Sequence, residues 1–347
     1  MFMFYKYRNG HGVEKLHVYI EFFFTQMFAR KGKRYNYQSV IHSDFKDVVE
    51  KCNKLNLLLR KTYQQYNKLN SSDQIIVESA FHTNNKIEEL CRGELDPVHN
   101  NQLPSSFAKV CFNLFVYLYE DLPITKVFQD NVGDFFDYYQ EIRKINPEIT
   151  MCPFCGLNFL KPKNDIKRDD YDHYLPKAIY LFNGINLKNL VPICKECNSD
   201  EKFIQDPLYH EKNKVGRRKV FYPYDSSIIG EHVQVKIEGD DTDNLNVILD
   251  GKEEKKEEIE SWNIIFGILR RYNAVTRASQ ERWIEDLHRE YGRQRKKAGF
   301  NFRLFLTDEL ERLSDNILVD RVFLKKALYD WLASNPDLER NLELTVT

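Results

Sequence analysis

The 347-residue chain has almost no net charge, no long unbroken apolar run and too few cysteines for a disulfide framework. Each shortage closes off a class of protein. A formal charge of −1, from 51 Lys and Arg against 52 Asp and Glu, removes the whole-molecule positive field that many autonomous nucleic-acid binders use to attract phosphates. Nucleic-acid binding, if any, must be local or shared with a partner. The most apolar stretches, MFMFYKYRNG and LHVYIEFFFTQMF, are broken by Lys6, Arg8, His17 and Glu21. They fall short of the ~20 apolar residues that span a bilayer, so neither a signal peptide nor a membrane anchor fits. Seven cysteines, four of them in two C-x-x-C pairs, point to metal ligands in a reducing compartment, and a cytoplasmic location is expected. Repeats and low-complexity tracts are also missing.

What is present suits a globular protein of two or three packed units. Hydrophobic residues make up 42% of the chain, and 24 Phe and 20 Tyr supply large surfaces to bury. The expected fold class is α+β, mostly α-helical, with a central zinc-stabilised module between helical N- and C-terminal regions. Residues 1–150 read as a hairpin, signalled by Asn9-Gly10 between aromatic segments, followed by a helical domain. In that domain FKDVVEKCNKLNLLLRKTYQQYNKL, SSDQIIVESAFHTNNKIEELCRG and SFAKVCFNLFVYLYEDL repeat apolar residues at three- and four-residue intervals. Ser71, Ser72 or Asp73 is a start signal and Gly93 a stop. Cys52, Cys91 and Cys111 lie on these segments and read as buried thiols. Residues 151–225 form a compact loop-rich module, and 226–251 a small β segment around the turn at Gly239-Asp240-Asp241.

Residues 252–347 read as a C-terminal α-helical domain. Trp262, Ile265, Leu269, Tyr272, Trp283, Leu287 and Tyr291 recur at helical spacing and are expected to pack a core. Arg270, Arg271, Arg277, Arg282, Arg289, Arg293, Arg295, Lys296 and Lys297 are expected on the other face. That face either tracks a phosphate backbone, with Arg293, Arg295, Lys296 and Lys297 as contacts, or is simply solvated.

Cys152-x-x-Cys155 and Cys194-x-x-Cys197 each put two thiolates on one short turn, and two such pairs complete a tetrahedron around a structural zinc with no open position. Between and after the pairs lie DDYDHYLPKAIY and NLVPICKECNSDEK. Phosphodiester cleavage needs a base for water, a cation for the developing charge, and groups that align both. His173 is of the side-chain type that titrates near neutrality. Asp172 offers a hard oxygen of the kind that magnesium or manganese prefers, and Asn198, fixed beside Cys197, can add a neutral oxygen.

This ordered set, from Cys152 to Lys202, resembles the HNH endonucleases of the His-Me finger (ββα-metal) superfamily. In that family a β-hairpin followed by a helix carries an Asp-His pair, a central Asn, and a final His or Asn after a C-x-x-C turn. The resemblance implies that His173 is the general base, that Asp172 and Asn198 bind one catalytic Mg2+ or Mn2+, and that Asn189 braces the loop holding His173. Lys177 and Lys202 become secondary phosphate or structural contacts; Lys202 stands four residues after Asn198, where the family often has three. FYPYD and the tryptophan-bearing helix after Glu258 are also similar to the HNH subunit of Septu-type bacterial anti-phage systems, which works beside an ATPase. The implied partners are nucleic acid, DNA ahead of RNA, an ATPase and a second copy of the chain, with no membrane. An RNase using the same site, or a noncatalytic zinc module that binds nucleic acid or protein, are the alternatives.

Overall fold

A computed structural model describes residues 3–163, 165–210, 216–225, 232–295, 301–317, 319–337 and 340. These fall into two compact units: Tyr5–Pro147 with Lys161–Ser226, and Met1–Phe4 with Glu148–Leu160 and Ser227–Thr347. The grouping cuts across the expected blocks, since the first C-x-x-C turn goes with the C-terminal residues and the segment after it goes with the N-terminal helices. Among the described residues the fold is mostly helical with two small antiparallel sheets, an α+β class. No described helix is long and apolar enough to cross a membrane.

In the first unit the helices are α1 (Glu14–Ala29), α2 (Tyr37–Val40), α3 (Lys46–Lys51), α4 (Asn53–Tyr66), α5 (Ser71–Asn84), α6 (Ile87–Cys91), α7 (Ser105–Val116), α8 (Lys126–Asn131) and α9 (Phe135–Ile145). The expected hairpin at Asn9-Gly10 is corrected: no strand forms there, and LHVYIEFFFTQMF lies within α1. Leu16, Tyr19, Ile20, Phe23, Phe24 and Met27 are all buried, and their three- and four-residue spacing overrides the strand preference of individual aromatic residues. At the starts of α5 and α9 a side-chain oxygen accepts one of the first unpaired N–H groups. Asn70 caps α5, one residue earlier than expected, and Asp134 caps α9. Gly93, at φ +75°, follows the end of α6 in the left-handed region that glycine tolerates. Cys91 and Cys111 are fully buried and Cys52 nearly so.

The helical core of this unit also takes in Leu181, Phe182 and Ile185, which lie between strand β1 (Tyr171–His173) and its antiparallel partner β2 (Leu190–Pro192). Phe182 packs on Phe24, Phe81 and Phe115 with ring centroids 5.6, 5.4 and 5.9 Å away. Burying one Phe contributes about 1.5–3 kcal/mol, enough to offset the backbone ordering of only one or two residues at about 1–2 kcal/mol each. The remaining order comes from hydrogen bonds. Asn100 accepts from the Leu181 N–H at 3.0 Å and donates to the Ala178 carbonyl at 2.9 Å, while Asn186 donates to the Asn85 carbonyl at 3.1 Å.

The other unit pairs β3 (Val233–Glu238) with β4 (Asn246–Gly251) and adds α10 (Lys256–Phe266), α11 (Ile268–Gln294), α12 (Phe302–Ser314) and α13 (Val322–Ala333). Gly267, in the left-handed region at φ +58°, separates α10 from α11. Trp262, Ile265, Tyr272, Leu287 and Tyr291 are buried, whereas Leu269 and Trp283 are half-buried. VFYPY (220–224), which belongs to the first unit and is rich in strand-favouring residues, lies outside the named strands.

Candidate metal and catalytic centre

Each C-x-x-C pair is shaped by its own backbone. The Gly156 N–H donates to the Cys152 carbonyl at 2.8 Å and the Leu157 N–H to Cys155 Sγ at 3.4 Å. Gly156 sits at φ +67°, a conformation costly for residues with a Cβ. In the second pair the Asn198 N–H donates to the Cys194 carbonyl at 3.0 Å and the Cys197 N–H to Cys194 Sγ at 3.5 Å. Thus both turns aim N–H groups at sulfur, which favours the thiolate over the thiol. The indole N–H of Trp262 and the hydroxyl of Tyr272 donate to the carbonyls of Phe154 and Cys155 at 2.6 and 2.8 Å, so α10 and α11 support the first turn.

Cys152, Cys155, Cys194 and Cys197 are buried, and their sulfurs lie within 4.8 Å of one another. A tetrahedral zinc with bonds of about 2.3 Å needs sulfurs about 3.8 Å apart. The donor set therefore fits a metal such as zinc, and no disulfide joins any of these cysteines among the described residues.

Asp172 and His173 close β1, in register with Val191 and Leu190 of β2. Asp172 is buried, and its Oδ1 accepts from Lys202 Nζ at 2.9 Å. Its Oδ2 is buried with no hydrogen-bond partner. Burial pushes the Asp172 carboxyl above the usual carboxylate range, and the Lys202 ammonium pulls it back. His173 is half-buried, with Nε2 2.9 Å from the Gly184 carbonyl. Because that oxygen can only accept, Nε2 carries the hydrogen. Burial lowers the imidazole pKa to about 3, with the Lys177 charge adding and the Gly184 bond opposing. The neutral ring therefore presents Nδ1 with its lone pair.

Asn189 is fully buried. Its Oδ1 accepts from the Leu175 N–H at 2.8 Å, and its Nδ2 donates to the Leu175 carbonyl at 2.9 Å and to Asn183 Oδ1 at 3.1 Å. The Tyr174 N–H donates to the Asn189 carbonyl at 2.9 Å. Both residues after His173 are thereby fixed to Asn189.

Asn198 is half-buried on a π-helical segment, Glu196–Lys202, whose Phe203 N–H returns to the Asn198 carbonyl at 3.0 Å. Such segments often occur at functional positions. Lys202 ends this segment fully buried, and its ammonium also donates to the His173 carbonyl at 2.9 Å. Of the two roles expected for Lys202, phosphate or structural contact, its enclosure with Asp172 fits the structural one. Lys177 is partly exposed but already pairs with Glu120 at 2.6 Å and lies 4.7 Å from the Tyr119 ring centroid.

Tyr119 and Glu120 have no counterpart in the motif. They lie on a second π-helical segment, Tyr117–Asp121, directly after α7. The Tyr119 ring meets His173 edge-on at 4.4 Å between centroids. Of the expected basic face, Arg293 is exposed and pairs with Glu290, and Arg295 is exposed. Lys296 and Lys297 lie outside the described residues. Arg271 is corrected: it is buried, with a hydrogen bond to the Phe266 carbonyl at 3.3 Å. Comparisons with family models, with curated proteins and with solved structures returned no match.

Proposed function

We propose that the chain is a metal-dependent endonuclease of the HNH type that hydrolyses phosphodiester bonds, with DNA as its substrate. The observation that carries this reading is the 2.9 Å contact of His173 Nε2 with the Gly184 carbonyl. It holds the ring in the tautomer whose Nδ1 takes a proton from water, and the preceding residue, Asp172, has one carboxylate oxygen without a hydrogen-bond partner. The negative charge of a bound phosphate favours the protonated ring and raises its pKa as the proton moves. Asn189 keeps the backbone after His173 in place, and Tyr119 limits the ring's rotation.

The unpaired Asp172 Oδ2 fits a hard divalent ion. Asp172 and Asn198 would hold Mg2+ or Mn2+, which supplies positive charge for the developing phosphorane and the leaving oxygen. Zinc in the four-cysteine set is structural in this reading. The ATPase partner and the anti-phage role rest on sequence resemblance alone.

The test incubates purified protein with labelled DNA and RNA, with and without Mg2+. Cleavage of DNA should require the ion, and His173→Ala should lower it by about 100-fold or more while zinc content and circular dichroism stay unchanged. Full activity in His173→Ala would overturn the mechanism, and cleavage of RNA alone would reassign the substrate.

A further inference from the structure

Far along the sequence from the motif, the first unit holds a cavity of about 620 Å³ lined by Lys33, Arg34, Tyr35, Arg60 and Lys68, among others, and by no acidic residue. Its size falls within the ~300–1,000 Å³ of ordinary ligand pockets. Arg60, Tyr63 and the C-cap residue Asn67 share one face of α4 by their three-, four- and seven-residue spacing, and Lys68 follows the cap. Lys33, Arg34 and Tyr35 come from the loop between α1 and α2.

That loop is built rather than slack. Asn67 accepts from the Gly32 N–H at 2.9 Å and donates to the Lys33 carbonyl at 3.0 Å. The Tyr63 hydroxyl donates to the Arg30 carbonyl at 3.1 Å. Gly32, at φ +79°, makes the turn. Arg60 stacks 5.6 Å from the Tyr35 ring centroid. The four cations form no ion pair among the described residues, whereas Arg8, Lys54 and Arg92 of the same unit each have an acidic partner.

Like charges gathered in one concavity repel one another and focus a positive field. The C-terminal end of α4 offsets only about half a charge, against four whole ones. In a chain of net charge −1, such a concentration calls for an anion of several charges. We propose that this cavity is a clustered-phosphate site for a nucleotide or the end of a nucleic-acid strand, with the cations on the phosphates and Tyr35 beside the sugar or base. A single small anion leaves most of the charge unmatched, whereas two or three linked phosphates match it.

The experiment measures binding to the full-length chain, at low and moderate salt, of inorganic tripolyphosphate, ATP, a 5′-phosphorylated single-stranded DNA and uncharged adenosine. At least one phosphate ligand should bind and adenosine should not. R34Q/R60Q/K68Q, which changes only exposed side chains, should bind at least tenfold more weakly and show a shallower salt dependence. ATP stronger than the strand assigns a nucleotide, and the reverse assigns a strand end. No binding of any phosphate ligand, or undiminished binding by the triple variant, overturns the proposal. His173→Ala should keep this binding in full, so failure here is separable from failure of the nuclease reading.

Discussion

The ion pair of Lys202 with Asp172 is the residue-level feature on which the site is most sensitive. Both side chains are almost wholly enclosed, at 1% and 4% exposure, so each charge has lost its water and depends on the other. Breaking such a pair from one side costs about 3–5 kcal/mol, whereas replacing both partners with neutral groups is often tolerated. Lys202→Met should therefore destabilise the chain by about that amount, lessened if Asp172 takes up a proton, as its raised pKa allows. Lys202→Met combined with Asp172→Asn should recover most of the loss. Urea unfolding of the two single variants and the double variant measures this; strictly additive losses would show that the pair does not act as a unit. The geometry also divides the labour of the carboxylate. Oδ1 serves the fold through Lys202, and Oδ2, buried without a hydrogen-bond partner, is the oxygen that the proposed catalytic ion would take.

At the scale of elements, the legible parts were those whose partners are close in sequence. A C-x-x-C turn announces itself because both thiols and the glycine that completes the turn lie within five residues, and Asp172-His173 is a dipeptide. The helical stripes of α4, α5 and α7 were equally plain, because the 3.6-residue period is local. The aromatic density of the N-terminus misled, since Asn9-Gly10 suggested a hairpin where the spacing from Leu16 to Met27 makes α1. Tyr119, Glu120 and the Gly184 carbonyl could not be read, because only tertiary packing brings them to His173. The signal for Phe182 was a lone aromatic residue in a loop, which has many uses. Lys33, Arg34 and Arg60 are illegible as a group for the same reason, being two short basic runs that only the fold brings side by side.

The four thiols make an element-level prediction of their own. A closed thiolate site that holds zinc stabilises a fold by roughly 10–16 kcal/mol of apparent zinc affinity at neutral pH, whereas the proposed oxygen-ligated ion would only enable chemistry. Cys194→Ser should lose stoichiometric zinc and unfold well below the wild-type temperature, and chelation of the intact protein should do the same reversibly. His173→Ala should do neither. Metal analysis beside thermal unfolding checks this. Retention of full zinc and stability in Cys194→Ser would remove zinc from the architecture.

At the scale of the whole molecule, stoichiometry limits what a single centre can cut. In the proposed nuclease reading one Asp172, His173 and Asn198 set would supply one catalytic ion, and one ion aligns a single phosphodiester at a time. Cutting both strands then needs two copies or a repositioning step, and a symmetric dimer is the commonest way to supply two. Net charge argues in the same direction. At −1 overall, the chain has no broad field to keep it on DNA between two cuts, and the exposed Arg293 already shares its charge with Glu290. The cationic concavity at Arg60 is local, and a local site holds one strand more readily than it tracks a duplex. The isolated chain should therefore nick supercoiled plasmid, with open circles accumulating before linear product. A second copy or a partner protein should shorten the lifetime of the nicked form. Solution mass measured beside a plasmid time course decides the matter: a strict monomer that linearises plasmid with no nicked intermediate would exclude the single-centre account.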